Sequence, residues 1–333
     1  MKLVIVGAGG RLGTALAREY REKFSVIGFD HAQLDLANAD ELREKLCTID
    51  FDLLINAAAF ANVDLCEKER DQAFRINADA PRILAEICRD KNAKLIHFST
   101  DYVFDGGKRE PYIENDPANP ISVYGESKRA GEKFVLQTHD RPASRPEGSR
   151  LDQSAGSPSS FDLRSSAVAA LDAEGAARLR RVRQHLVVRV SWVFGPDRPS
   201  FIDGMIKRAR ENEQIDAISD KFSTPTYTHD IAQMLPQFFE VDVEGGILHF
   251  ANAGECSWQE YAQWALDCCA TEGIALKAKI VDALKLADMK NWSARRPVYS
   301  VLSTAKYSAL TDVSSRAWRD AVADYIRRFY SHK

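Results

Sequence analysis

The residues best spaced for chemistry are Tyr124 and Lys128, in the run Tyr124-Gly125-Glu126-Ser127-Lys128. Four apart, they fall on one face of a helix. A free phenol titrates at about 10, too high for efficient proton transfer at neutral pH. A cation one helical turn away favours the phenolate and is expected to lower that value. Such a pair suits reduction of a ketone, in which a nicotinamide gives hydride and the tyrosine gives a proton to the forming alkoxide. Ser99-Thr100-Asp101 follows an apolar run, and a hydroxyl there can hydrogen-bond the same carbonyl beside Tyr124.

A hydride donor needs a binding site, and Gly7-Ala8-Gly9-Gly10-Arg11-Leu12-Gly13 has the pattern for one. Glycines between a first strand and a first helix permit a tight turn and close backbone approach. The helix N-terminus can then face a pyrophosphate. The spacing of Gly7, Gly10 and Gly13 is GxxGxxG, the short-chain reductase variant. Asp30 ends the second apolar run, where a carboxylate can accept hydrogen bonds from the adenine ribose hydroxyls. That disfavours a 2′-phosphate and points to NADH. Arg11, a nearby cation, could instead pair with the phosphate of NADPH, so both cofactors stay open. Asp35 and Leu36 could frame the adenine. Asn56-Ala57-Ala58-Ala59 ends a third run, its small side chains letting a cofactor lie against the backbone.

These groups need a scaffold that gathers them. Leu3 to Val6, Ser25 to Phe29, Leu53 to Asn56 and Lys94 to Phe98 read as buried strands, and segments from Thr14 to Lys23 and Ala39 to Thr48 carry helical spacing. Continuous apolar strands alternating with helices predict an α/β fold, a doubly wound parallel sheet covered on both faces. In such sheets ligands gather at the carboxyl ends of strands. Residues 1–137 with 186–192 are therefore expected to form the Rossmann-type dinucleotide-binding domain. The Ser-, Arg-, Pro- and Gly-rich stretch 138–185 has little to bury and reads as a disordered insertion. Residues 193–333, with a helix from Trp258 to Thr271, read mainly as a smaller α+β substrate lobe, some segments returning to the first domain.

The motifs GAGGRLG, LINAAA, HFSTDYVFDG, PYIENDPANPISVYGESKRAGE, RVSWVFGP and ARRPVYSVL, in this order and across most of the chain outside the insertion, resemble the dTDP-4-dehydrorhamnose reductase family. The resemblance implies reduction of dTDP-4-dehydro-L-rhamnose to dTDP-L-rhamnose with NADPH or NADH. By motif, Tyr124 would donate the proton, Lys128 would hold the nicotinamide ribose and Thr100 would bind the C4 oxygen. Thr100 and Asp101 would meet the sugar, with Trp192 lining its pocket. Cofactor contacts would fall on Gly10, Arg11, Leu12, Asp30, Asp35, Leu36, Ala59, Phe60, Ala61 and Phe98. Arg296 would approach the nucleotide phosphates, unless it is simply an exposed arginine.

Some positions depart from the family pattern. Asn62 stands in a stretch that often carries a threonine hydrogen-bonding cofactor or sugar, and could replace it. Tyr299 and Val301 stand where Asn and Arg are frequent. Some bacterial members dimerise through magnesium held by a first-helix acid; Ala15 occupies that position, so no such metal site is expected, while a homodimer stays open. Two rivals remain: a reductase or epimerase of another nucleotide 4-keto sugar, and a non-catalytic regulatory subunit of the kind that binds methionine adenosyltransferase. The second retains the Tyr-Lys pair, so Trp192, in the Ser-Trp pair of the sugar reductases, is the better discriminator.

A formal net charge of −3 gives no reason to expect nucleic acid or an anionic membrane as partner, and no apolar run approaches a bilayer span. The first residues do not read as a signal peptide, so the cytoplasm is the default and the six cysteines are expected to be thiols. Adjacent Cys268 and Cys269 are expected to pack a helix.

Overall fold

The computed structural model describes residues 1–138 and 184–331. Of the expected insertion, Thr138, Gln184 and His185 are among them and the rest lies outside the described residues. In chain order the regular elements are β1 (Lys2–Val6), α1 (Arg11–Tyr20), β2 (Ser25–Phe29), α2 (Ala39–Cys47), β3 (Leu53–Asn56), α3 (Val63–Lys68), α4 (Arg70–Phe74), α5 (Ala80–Asp90), β4 (Lys94–Thr100), α6 (Val123–Gln137) and β5 (Leu186–Val190). The later part of the chain follows with β6 (Val193–Phe194), α7 (Phe201–Glu211), β7 (Ile215–Ile218), β8 (Phe222–Ser223), β9 (Thr226–Tyr227) and α8 (Thr228–Met234). It continues with β10 (Ile247–His249), β11 (Cys256–Ser257), α9 (Trp258–Thr271), β12 (Val281–Leu284), α10 (Ala305–Thr311) and α11 (Trp318–Phe329).

Six strands form one parallel sheet in the order β10-β5-β4-β3-β1-β2. Its register carries the apolar runs across the molecule, with Val4 beside Leu54, Leu54 beside Leu95 and Val188 beside Leu248. Alternate side chains feed a core on each face. One contains Leu3, Ile5, Ile55, Ile96 and Val188, and the other Val4, Val6, Leu54, Leu95 and Val187. The strands are continuous hydrophobic runs because both faces are covered. β2 is the exception: predicted to be buried, it lies at the sheet edge with Ile27 exposed. The sixth strand, β10, comes from the later part of the chain, whose α8 and α10 also return to the first domain through Ile231, Met234 and Tyr307.

In the second lobe the helices α7, α9 and α11 enclose an aromatic core of Phe194, Tyr227, Tyr261 and Tyr325, and the parallel pair β7 and β12 packs Ile215, Ala217 and Val281 against Met205, Ala262 and Leu266. Two of these helices begin with reciprocal caps. Ser257 accepts from the Glu260 amide while Glu260 accepts from the Ser257 amide, and Ser200 and Asp203 make the matching arrangement at α7. Cys268 and Cys269 are buried on α9, where burial pushes both thiols up, Cys269 to about 11. No helix among the described residues is long and apolar enough to cross a membrane.

Candidate active site

The carboxyl ends of β1, β3, β4 and β5 open on one face into two adjoining hollows. At the first, Gly7 takes φ +83°, a conformation that favours glycine. A Cβ there would stand 2.7 Å from the Ala58 nitrogen, and one at Gly13 would stand 2.1 Å from the Gly7 oxygen. The turn and α1 can therefore approach β3 only without those side chains. This leaves a groove of about 730 Å³ beside the turn, lined by Gly7, Gly10, Asp30, Asp35, Leu36 and Phe60 among others. Backbone exposed in this way at the start of a helix, with a carboxylate at the end of β2, fits a dinucleotide. Asp30 uses Oδ1 to accept the Gln33 amide and Asp35 uses Oδ1 to accept the Ala37 amide. Each keeps its second oxygen.

The second hollow, about 370 Å³, is lined by Arg11, Leu12, Ala59, Ala61, Phe98, Thr100, Asp101, Tyr124, Lys128 and Trp192 with their neighbours. Ala59 lines both. Of the positions expected to bind or react, Gly13 faces neither hollow; it packs against Gly7.

Arg11 lines the second hollow, with its guanidinium turned to backbone carbonyls. Its guanidinium donates to the carbonyls of Val193 (3.1 Å), Arg198 (3.1 Å) and Pro199 (short contact). Burial, offset partly by Asp203, lowers its pKa. It pins the segment after β6 to the glycine turn instead of pairing beside Asp30, because three carbonyls satisfy its fork. The cation that does reach that end is Arg198, whose Nε donates to the Gly9 carbonyl at 2.6 Å.

On α6, capped by the Ser122 hydroxyl accepting from the Gly125 amide, Tyr124 and Lys128 share the face that looks onto β4. Burial opposes the expected lowering of the Tyr124 phenol. Tyr124 is half-buried and lines the hollow, and burial raises its pKa above the ordinary value. The Thr100 hydroxyl pulls the other way and the Asp101 carboxylate adds to the rise. Lys128 does not offset this because its ammonium turns back onto the strand, donating to the Phe98 carbonyl at 2.6 Å and lying 3.4 Å from His97 Nε2.

A chain of hydrogen bonds leads to that lysine. The Ala58 amide donates to Asn56 Oδ1, which turns Asn56 Nδ2 toward His97 Nδ1 at 3.1 Å. His97, fully buried and held well below its ordinary pKa by burial and by Lys128, is neutral. With Nδ1 accepting, its proton sits on Nε2 and points at Lys128 Nζ. That orientation accepts an amine better than an ammonium. Burial draws Lys128 down to about 8, partly countered by Glu132.

Thr100 donates to Asp101 Oδ1 at 3.1 Å and accepts from the Tyr102 amide. Asp101 is buried. Its Oδ2 accepts from the hydroxyls of Ser223 (3.1 Å) and Ser300 (2.5 Å), so it ties β4 to the second lobe. Burial raises its carboxyl, opposed by Lys221 and these hydroxyls. Trp192 closes the cavity from β5 with φ +38°, a strained value for a bulky side chain. Its buried Nε1 has no hydrogen-bond partner among the described residues.

Lys221, which the sequence did not single out, stands behind this wall. Its Nζ is fully buried, makes no hydrogen bond among the described residues, and lies 5.3 Å from the ring centroids of Tyr102 and Trp192 and 5.9 Å from that of Trp258. Burial lowers its pKa from the ordinary 10.5 to about 8, against the attraction of Asp101. Between those values the unfolded chain binds more protons, so this group makes stability rise with pH across the window. Below it the full penalty stands, on the order of 3 kcal/mol. Lys221→Met keeps the apolar stem but leaves the buried Asp101 carboxyl without the cation that opposes its rise, so the expected effect is on the pH dependence: the rise in stability between about pH 8 and pH 10 is lost in the variant. Urea unfolding at pH 8 and pH 10 reads it; a variant that keeps the rise would contradict the assignment.

Four further positions are occupied by structure. Arg296 is bound to Asp64 Oδ2 at 2.5 Å and lies over Trp292, and its guanidinium holds the Asp64 carboxyl at about 2, so it joins the two lobes. Asn62 caps α3, its Oδ1 accepting from the Leu65 amide. Tyr299 donates to Glu255 at 2.6 Å and Val301 is core. Among the described residues, no group of three or more His, Cys, Asp or Glu side chains converges as metal ligands.

Known proteins resemble this chain in sequence and in fold. The family described as "RmlD substrate binding domain" matches residues 1–143 and 167–331. A dTDP-4-dehydrorhamnose reductase of Mycolicibacterium smegmatis is 31% identical over 98% of this chain and 85% of its own. A probable dTDP-4,6-dihydroxy-2-methyloxan-3-one 4-ketoreductase of Streptomyces antibioticus is 30% identical over 97% and 94%. The crystal structure of the dTDP-4-dehydrorhamnose reductase of Bacillus anthracis in complex with NADP superimposes with a TM-score of 0.80 at 27% identity, covering 98% of this chain and 99% of that one.

Proposed function

Because the chain belongs to the dTDP-4-dehydrorhamnose reductase family of nucleotide-sugar reductases, we propose that it reduces the C4 ketone of dTDP-4-dehydro-L-rhamnose to the alcohol of dTDP-L-rhamnose. The observation that carries this reading is the meeting of Thr100, Tyr124 and Lys128 in one cavity that adjoins the glycine-turn groove. NADH or NADPH, when bound, supplies the hydride.

The chain's own residues do the rest. Gly7 and Gly10 admit the pyrophosphate, and the free oxygens of Asp30 and Asp35 face the adenosine end. Lys128 holds the nicotinamide ribose. The raised pKa of Tyr124 keeps its phenol protonated at neutral pH, which is the form that gives its proton to a developing alkoxide. Thr100 orients the carbonyl oxygen, and rotation of its hydroxyl away from Asp101 frees the donor. Phe98, Tyr102 and Trp192 wall the cavity and exclude water from the transfer.

A second reading is reduction of another nucleotide-linked 4-keto sugar, favoured by Tyr299 and Val301 standing where the family often has Asn and Arg, near the wall that Ser300 and Asp101 join. The deciding measurement is NADH and NADPH consumption with a panel of nucleotide 4-keto sugars. Turnover of dTDP-4-dehydro-L-rhamnose above the others is expected. Turnover of a different keto sugar alone would move the assignment to the second reading, and stoichiometric capture of a methionine adenosyltransferase without turnover would overturn both.

A further inference from the structure

The geometry points to Arg198 as the residue that binds the 2′-phosphate of NADPH, so that a side chain of the second lobe selects the phosphorylated cofactor. This rests on the reading of the groove as a nicotinamide dinucleotide site. The observation is where the guanidinium stops. Arg198 lies in the segment between β6 and α7, and its Nε donates to the Gly9 carbonyl at 2.6 Å. One point above Gly9, where a Cβ would stand, is 3.0 Å from Asp30 Cβ and 3.9 Å from Arg198 Nη2. The guanidinium and the carboxylate that ends β2 therefore border the same corner of the groove.

That corner is where a Rossmann-type site meets the adenine ribose. An acid at the end of the second strand takes the free 2′-hydroxyl, while a nearby arginine accommodates a 2′-phosphate. The other titratable groups lining the groove are Asp30, His31 and Asp35. Asp30 and Asp35 have each committed one oxygen to a backbone amide. Among the described residues that line it, Arg198 supplies the only arginine or lysine charge. Without it, two carboxylates would repel a phosphate; with it, the fork has Nη groups free to form charge-assisted bonds.

The segment is also held in place for the task. Arg11 donates to the carbonyls of Val193, Arg198 and Pro199, and Arg18 pairs with Asp197. Both donors stand on α1, the helix that begins at the glycine turn. The arginine first suspected of meeting the phosphate thus fixes the backbone of the one that does.

The test is direct nucleotide binding by the full chain without sugar, following fluorescence with NADPH and NADH and competition by 2′,5′-ADP and by ADP. Arg198→Met is expected to weaken NADPH and 2′,5′-ADP by on the order of tenfold or more, leaving NADH and ADP within about twofold. Arg198→Lys, which keeps the charge but not the fork, is expected to fall between. The side chain is exposed, and thermal melting checks that each variant folds. Equal weakening of all four ligands would assign Arg198 to the adenosine 5′-phosphate that they share and overturn the inference, as would no change in any of them. Failure of the unaltered protein to bind either nicotinamide would overturn the cofactor site itself, a result distinguishable from both.

Discussion

Tyr124→Phe is expected to lower kcat by about a thousandfold, within the ~10²–10⁴ that a positioned general acid supplies, while leaving nucleotide binding nearly unchanged. The substitution removes one oxygen and keeps the ring that packs edge-on against Tyr102 at 5.6 Å. What it deletes is the phenol that stands with Thr100 and Lys128 in the cavity, the group proposed to present a proton to a carbonyl held there. Thr100 is a poor substitute, because its own proton goes to Asp101 and an aliphatic hydroxyl is a far weaker acid. Lys128 does not replace it either while its Nζ is engaged by the Phe98 carbonyl. Steady-state turnover together with a fluorescence titration of NADPH separates the effects: kcat falls and the nucleotide Kd holds. A variant retaining more than a tenth of the wild-type kcat would show that the proton comes from elsewhere.

Much of this site was legible because its parts are local in sequence. Apolar runs named the strands, and their continuity implied burial on both faces; only β2, an edge strand, broke that inference. The glycine turn could be read because backbone conformation restricts the residue type, and the spacing of Tyr124 and Lys128 because helical geometry does. What could not be read depends on residues far apart in the chain. Arg11 is one residue from Gly10, yet its partners lie more than 180 positions away. Neither its capture nor the arrival of Arg198 leaves any periodicity. Lys221 follows an Asp in an unremarkable loop, and its burial among three rings is a tertiary fact. The expected effect of Lys128 on Tyr124 failed for a similar reason. Spacing places two side chains on one face, but the Phe98 carbonyl and His97 decide where the ammonium points.

The same helix carries a third residue at that spacing, Glu132, and its removal is expected to be the most destabilising single change in the first domain. Glu132 is fully buried and accepts from Arg189 through two bonds of 2.8 Å, from the Ser99 hydroxyl at 2.6 Å and from Arg129 at 2.8 Å. Burial alone would raise its carboxyl, but Arg189, Ser99 and Arg129 together hold it below the ordinary range. Glu132→Ala leaves the equally buried Arg189 with the Glu114 carbonyl and His249, each at 3.4 Å, and an uncompensated buried charge of this kind costs about 3–5 kcal/mol. The loss also reaches the chemistry. Glu132 stands two turns beyond Tyr124 and one beyond Lys128, and its carboxylate ties α6 to β5 and to Ser99, the residue before Thr100. Urea unfolding of Glu132→Ala should show the destabilisation, and the pair Glu132→Leu with Arg189→Met should recover most of it, since no buried charge is then left alone. If the carboxylate positions the site as well as holding the fold, the recovered double variant will still turn over more slowly than wild type, in kcat more than in KM. A single variant within about 1 kcal/mol of wild type would mean that Arg129 and solvent compensate the arginine more fully than two-sided burial permits.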